Sequence, residues 1–223
     1  MVNIVLVHGL WSDGSCWAQV IAELRAMGHE PIAAQPALES FDDDVASVRR
    51  TLATVAGPVL LVGWSYGGAV ITTAAVGQPQ VKALAYIAGF APEEGESVSD
   101  LARRRRGSLI RQHLVITDDG HSYLDRAHFG EVIAHDADPV TVAIAAATQK
   151  LPRIGVDGEP SGRPAWLDVP AHYLLATGTV PFRQRRSAKW RSAWLRASQK
   201  LTRATRPCCP GPGTSPDSLT ASP

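Results

Sequence analysis

The sequence predicts an α/β protein with a mostly parallel sheet and helices on both faces. Short, almost purely apolar segments rich in β-branched residues recur along the chain, as in strands that are buried on both faces. Segments with helical periodicity alternate with these strands. Glycine and polar residues lie at the boundaries between them. This alternation is typical of a parallel sheet with right-handed crossovers.

Five strands and three helices make up the predicted sheet layer. The predicted strands are 2–7, 30–34, 58–62, 81–87 and 171–177. The first helix follows from apolar residues at helical spacing between Trp17 and Met27, and Gly28 ends it. The second begins at Ser40, where the acidic residues 42–44 meet the positive end of the helix dipole. The third helix is predicted over residues 69–76.

Between residues 91 and 170 the alternation lapses. Polar, Gly-rich and Pro-rich stretches separate short helical patterns, of which residues 140–148 are the clearest. An insertion of this size near the strand ends predicts a small helical lid over a pocket.

Composition predicts one globular domain and excludes a membrane span. The chain has 223 residues, 45% of them hydrophobic and 19% charged. Its apolar runs are shorter than the roughly 18 residues that a membrane helix needs. The first residues lack a basic lead and a cleavage site, so we expect mature sequence. Three cysteines form no disulfide framework, and we expect a reducing, cytoplasmic location.

The net charge of +1 hides a change of sign along the chain. Residues 1–178 hold 13 basic and 20 acidic residues, a net charge of −7. Residues 179–223 hold 9 basic residues, one acid and 6 of the 16 prolines. Such a change marks a basic interaction tail or sequence foreign to the preceding domain. We therefore divide the chain into a domain over 1–178 and an aberrant tail over 179–223, which we expect to be poorly ordered.

The motif that carries chemistry is Gly-Trp-Ser-Tyr-Gly at residues 63–67. It matches the G-x-S-x-G pattern, follows a predicted strand and opens a predicted helix, the setting of a nucleophile elbow. We therefore predict Ser65 as the nucleophile. In such sites the residue after the nucleophile and the loop after the first strand each supply an amide to an oxyanion hole. These are the amides of Tyr66 and Leu10, and we interpret His8 as a brace of that loop.

Three segments resemble small bacterial members of the α/β-hydrolase fold family, which are similar to plant methylesterases and hydroxynitrile lyases. They are residues 5–11, residues 62–68 around the elbow, and residues 86–97. The resemblance spans residues 1–178 and implies the α/β-hydrolase fold. Trp64 departs from it, because many relatives have His there.

The resemblance also implies a Ser–acid–His triad, of which this chain shows only the serine. The family places its acid just after the strand at 171–177 and its His near the C-terminus. After residue 178 there is no His, and Asp217 is the only acid. The triad acid and His are therefore unassigned, and their expected places are held by Thr179 and Thr205.

A slip of reading frame near codon 178 accounts for this loss. Read one nucleotide earlier, permitted codons for residues 179–189 spell a segment that begins with Asp. Permitted codons for residues 204–221 spell a segment with His in its second place. Both resemble the family's acid loop and catalytic-His loop. We hypothesise that residues 179–223 are out of frame.

We expect a serine hydrolase that cleaves a small carboxylic ester through an acyl-enzyme, without metal or organic cofactor. Two alternatives are open: a lyase that cleaves cyanohydrins with the same triad, and a catalytically impaired binding protein. The sequence does not indicate the oligomeric state.

Other charged and metal-binding residue types favour simpler interpretations. We expect Arg103–Arg106 to form a solvated helix face rather than an anion site. His121, His128 and His135 recur every seventh residue, but nearby glycines and a proline argue against one metal-binding face. The adjacent Cys208 and Cys209 lack zinc-ligand spacing, and the basic tail has no nucleic-acid motif, so we expect no nucleic-acid partner.

Overall fold

The sheet of this protein is wholly parallel in the computed structural model, which describes residues 1–104 and 108–176. Its strand order is β2-β1-β3-β4-β7. The strands are β1 (Asn3–Val7), β2 (Glu30–Ala34), β3 (Val59–Trp64), β4 (Val81–Ile87) and β7 (Ala171–Leu174). All five coincide with strands predicted from apolar runs, and the predicted α/β class is confirmed.

Three helices connect the first four strands: α1 (Ala18–Ala26), α2 (Phe41–Ala53) and α3 (Tyr66–Ala74). Ser40 caps α2 as predicted, because its side chain accepts a hydrogen bond from the Asp43 amide. β3 ends two residues later than predicted, and α3 begins three residues earlier. The strand and the helix are therefore separated by a single residue, Ser65.

Two apolar clusters pack on opposite faces of the sheet. On one face, α2 and α3 cover Val5, Leu61 and Leu84, all fully buried. On the other, α1 packs against a smaller cluster that contains Ile4, Leu6, Trp17 and Val62. α1 contacts this cluster through Ile21 and Leu24. Val20 and Met27, which share the helical spacing of apolar residues, are 40% and 67% exposed.

The segment between β4 and β7 holds several short elements. They are α4 (Val98–Arg103), α5 (Ile110–His113), β5 (Leu114–Ile116), β6 (Ser122–Leu124), α6 (Phe129–Ile133) and α7 (Pro139–Thr148). The predicted helix at 140–148 corresponds to α7. β5 and β6 form an antiparallel hairpin, and a third cluster of Leu124, Phe129 and Ala146 packs beneath it. We call residues 91–170 the lid segment.

The lid segment is joined to the loop after β1. The indole of Trp11, in that loop, packs against the third cluster, and its Nε1 donates to Ser122 Oγ at 3.2 Å. Within the lid segment, buried Gln149 bonds both backbone groups of Leu124 at 2.9 Å. The lid segment therefore contacts the edge of the sheet where the parallel strands end.

Some predictions concern residues that the structure does not describe. Thr179, Thr205, Cys208 and Cys209, with the whole predicted tail 179–223, lie outside the described residues, and so do Arg105 and Arg106. Among the residues that are described, no helix is both long and apolar enough to cross a bilayer.

Candidate active site

Ser65 occupies the one-residue turn between β3 and α3. Its backbone has φ 52° and ψ −121°, a conformation that residues with a Cβ adopt rarely and at an energetic cost. Three backbone hydrogen bonds hold it there. The Ser65 amide donates to Ile87 O at 3.3 Å, and Ser65 O accepts from the amides of Gly68 and Phe90, each at 3.0 Å. A serine strained and braced in this way matches the geometry of a nucleophile elbow.

Glycine is required after the serine because the backbone of α3 lies against the end of β1. A methyl group added at Gly67 would lie 2.5 Å from the carbonyl oxygens of Val7 and His8. At Gly63 an added methyl would collide with the Gly67 carbonyl. The two glycines of the motif therefore set how closely the elbow approaches its neighbouring strand.

The loop after β1 lies directly beside Ser65. A methyl group added at Gly9 would be 2.9 Å from Ser65 Cβ, so the backbone of residues 9 and 10 borders the serine. Tyr66 is the first residue of α3, where helix amides have no partner within the helix. Among the described residues, neither the Leu10 amide nor the Tyr66 amide donates a hydrogen bond. Both amides predicted for the oxyanion hole are therefore free to donate to an oxyanion.

His8 is fully buried at the start of this loop. Its Nδ1–H donates to Gly9 O at 2.9 Å, while Nε2 has no hydrogen-bond partner in the described part of the chain. Its pKa is lowered from 6.5 to about 4, mainly by burial. The hydrogen bond to the Gly9 carbonyl opposes this effect, and the nearby positive charge of Lys150 contributes to it. His8 is therefore neutral near pH 7 and bonded within its own loop, as expected of a brace.

The side chain of Trp64 lies on the face of the sheet opposite to α2 and α3. Its ring packs against the cluster formed by Ile4, Leu6 and Val62. Its Cε3 would be 3.3 Å from a methyl group at Gly9. The indole thus fills space beside the loop after β1.

Asp44 is the residue that sequence reasoning missed. We expected it only to support the start of α2, but its side chain is fully buried. It accepts hydrogen bonds from the Leu38 amide and the Tyr66 hydroxyl, both at 2.8 Å. Its spacing in the sequence could have indicated this burial. α2 has one buried stripe, and Asp44 is the acid within it, at residues 41, 44, 45, 48 and 52.

A base for Ser65 is not found among residues 1–104 and 108–176. Within those residues the Ser65 side chain has no hydrogen-bond partner. His172 lies on β7 opposite Ala85, and His121 pairs with Glu39 and Asp119 in the lid segment. The acid and His of the triad therefore have no candidate in the described part.

The residues weighed for other sites lie in the lid segment. His128 stacks on His113 at 4.1 Å between ring centroids, whereas His121 is elsewhere beside Glu39. In the described ranges, no three His, Cys, Asp or Glu side chains converge as a metal site would require. Arg103 and Arg104 form exposed ion pairs with Asp100 and Glu96, in agreement with a solvated helix face.

Comparison with known proteins agrees with this geometry. The chain matches the model of the Alpha/beta hydrolase family over residues 4–216. It is 36% identical over 114 residues to the carbendazim hydrolyzing esterase of Nocardioides sp. (strain SG-4G), covering 45% of this chain and 47% of that one. It is 32% identical over 109 residues to esterase PIR7B of Oryza sativa subsp. japonica, covering 42% and 41%. The match thus spans less than half the length of these curated relatives.

Solved structures share the fold at lower identity. Tomato methylketone synthase I, complexed with 2-tridecanone, is 17% identical, with a TM-score of 0.68 over 89% of this chain and 85% of that one. A pyrethroid hydrolase from Sphingobium faniae JZ-2 is 21% identical, with a TM-score of 0.64 over 78% of both chains. The resemblance predicted from the three sequence segments is confirmed, and this chain belongs to the Alpha/beta hydrolase family.

Proposed function

We propose that this protein is a serine hydrolase of small carboxylic esters, with Ser65 as its nucleophile. The observation that carries the proposal is the strained backbone of Ser65, φ 52°, between a buried strand and a helix. Natural proteins keep such strain mainly where it serves function. The two partly matching relatives, both named as esterases, support an ester as the substrate class.

In the proposed reaction Ser65 Oγ attacks the ester carbonyl and forms a tetrahedral intermediate. The amides of Leu10 and Tyr66 donate to its oxyanion, which carries charge only in this state. Collapse breaks the ester C–O bond, and the alkoxide takes up the proton lost by Ser65 and leaves as the alcohol. Water then hydrolyses the acyl-enzyme, which releases the carboxylic acid and restores the Ser65 hydroxyl. The serine and both amides belong to this chain, so the proposal includes no metal or organic cofactor.

Ser65 also needs a base and an orienting acid. We propose that these belong at the places of Thr179 and Thr205, and that residues 179–223 are read out of frame. Resequencing the gene around codon 178 tests this idea. A missing or additional base there supports a sequence error, whereas an unambiguous repeat of the present sequence supports a mutation. A protein made in the other frame is expected to gain about 10⁴-fold in kcat/KM, since triad members contribute on that order. An unchanged rate would overturn the frame proposal.

Labelling with a fluorophosphonate and hydrolysis of p-nitrophenyl acetate test the nucleophile. We expect labelling on Ser65, located by peptide mass spectrometry, and its loss in Ser65→Ala. Ser15→Ala is the matched control, because Ser15 is exposed and bonds Asp13 rather than the elbow. Equal labelling of Ser65→Ala and the parent protein would exclude Ser65.

A second candidate function is a binding protein with a hydrolase fold. It is favoured by the lack of a base for Ser65 among the residues that the structure describes. A folded sample that shows neither labelling nor turnover, yet is stabilised against heating by a short ester, would support it. Turnover that depends on Ser65 would exclude it.

A further inference from the structure

Tyr66 connects two parts of the molecule. Its backbone amide borders the nucleophile, whereas its fully buried side chain extends beneath the elbow to α2. There its hydroxyl donates to Asp44 Oδ2 at 2.8 Å. The Phe41 ring packs edge-on against it, with 6.2 Å between ring centroids. One side chain thus ties the start of α3 to the start of α2.

Asp44 is itself held on two sides. Its Oδ1 accepts from the Leu38 amide at 2.8 Å, and Leu38 has a positive φ of 69°. Lys150, which donates to Pro36 O, places a positive charge nearby. Burial nevertheless raises the pKa of this carboxyl. Burying a carboxyl group costs free energy. Phe at position 66 and an apolar residue at position 44 could fill the same space without that cost. Its presence therefore indicates a positional role.

We propose that Asp44 is a positioning residue, which fixes the Tyr66 amide in the oxyanion hole through the Tyr66 hydroxyl. The proposal rests on the proposed role of Ser65. The role of Ser65 does not by itself imply a role for Asp44, because the three backbone hydrogen bonds of Ser65 could hold the turn without it. If the Tyr66–Asp44 hydrogen bond is lost, α3 keeps its packing, but the position and direction of the Tyr66 amide are no longer fixed.

Tyr66→Phe tests the link by removing one oxygen atom. Tyr86→Phe is the matched control. Its hydroxyl is equally buried and is also 2.8 Å from a partner on α3, Thr72 Oγ1, but that partner is distant from the start of the helix. We expect kcat for p-nitrophenyl acetate to fall about 10- to 100-fold in Tyr66→Phe with KM unchanged. Complete loss of one oxyanion donor costs about 10²- to 10³-fold. We expect Tyr86→Phe to keep the parent kcat.

Asp44→Asn supplies a graded second variant. The amide keeps the size of the side chain, and its NH₂ group can donate to the Tyr66 oxygen where the carboxyl oxygen accepted, so the contact is altered rather than removed. We expect a smaller fall in kcat than in Tyr66→Phe. The double variant is expected to match Tyr66→Phe, because both changes act through one contact. Independent, multiplying losses would overturn the proposal.

Hydrogen exchange gives a readout that needs no turnover. The amides of Gly68 and Phe90 both bond to Ser65 O, so their exchange reports whether the elbow is fixed. We expect at least about tenfold faster exchange in Tyr66→Phe and parent-like exchange in Tyr86→Phe. Unchanged exchange at both amides would overturn the proposal, as would an unchanged kcat. If the parent protein fails to label at Ser65, the proposed function fails, and exchange alone then decides the role of Asp44 in fixing the elbow.

Discussion

Acidification should destabilise this protein through a single buried histidine. His8 has a pKa of about 4 in the folded chain and 6.5 when exposed. Between these values the unfolded chain binds more protons than the folded chain, so the free energy of unfolding rises with pH. The difference of about 2.5 in pKa corresponds to about 3 kcal/mol. That stability is present above pH 6.5 and is lost as the pH falls to about 4. It is a large fraction of the roughly 5–15 kcal/mol of a typical domain.

Urea unfolding at several pH values between 7.5 and 4 measures this loss. The matched variant is His8→Asn, whose amide N–H can still donate to the Gly9 carbonyl but does not titrate. His121 works in the opposite direction, because Glu39 and Asp119 raise its pKa, but it is common to both proteins and cancels in the difference. We expect the stability advantage of the parent over the variant to shrink by about 3 kcal/mol from pH 7 to pH 4. Parallel curves for the two proteins would refute the reasoning.

Substitutions at three other positions have expected outcomes that urea unfolding at pH 7 can check. Ser65→Gly should be about 1 kcal/mol more stable than Ser65→Ala, because glycine removes the strain at φ 52°; equal stability would show that the elbow is unstrained. Ser40→Ala should lose about 1 kcal/mol through the missing cap of α2, and a loss near zero would mean that solvent replaces the cap. Gln149→Ala should lower the free energy of unfolding by about 1–3 kcal/mol, because two buried backbone groups of Leu124 lose their hydrogen-bond partner. If the free energy of unfolding is unchanged and only amide hydrogen exchange in the lid segment becomes faster, the contact stabilises the lid segment alone.

The centre of the sheet was predictable because β1 and β3 are largely buried on both faces. Their apolar runs, such as residues 59–62, leave a direct pattern in the sequence. The lid segment was harder, since β5 and β6 have three residues each and are too short for any period. α7 was found because a helix of ten residues is long enough for a helical pattern to be recognised.

Within the candidate site, features formed by neighbouring residues could be predicted from the sequence, and contacts between distant residues could not. The strand, the one-residue turn at Ser65 and the helix are contiguous in sequence, so the motif and its neighbours were enough to predict that arrangement. The Asp44–Tyr66 contact joins residues 22 positions apart, and three consecutive acids concealed which one is buried. Its prediction would have required placing α2 against α3 first, which depends on packing rather than on local pattern.

The contacts of Gly9 and Gly67 have a consequence for how such a site can diverge. Both meet their neighbours with no room for a side chain, so the two glycines set how closely Ser65 and α3 approach the loop after β1. We expect that side chains bordering Ser65, such as Leu10, can be exchanged while the two glycines maintain that approach. A library that varies these side chains and keeps the two glycines should change substrate choice while leaving the reaction itself intact.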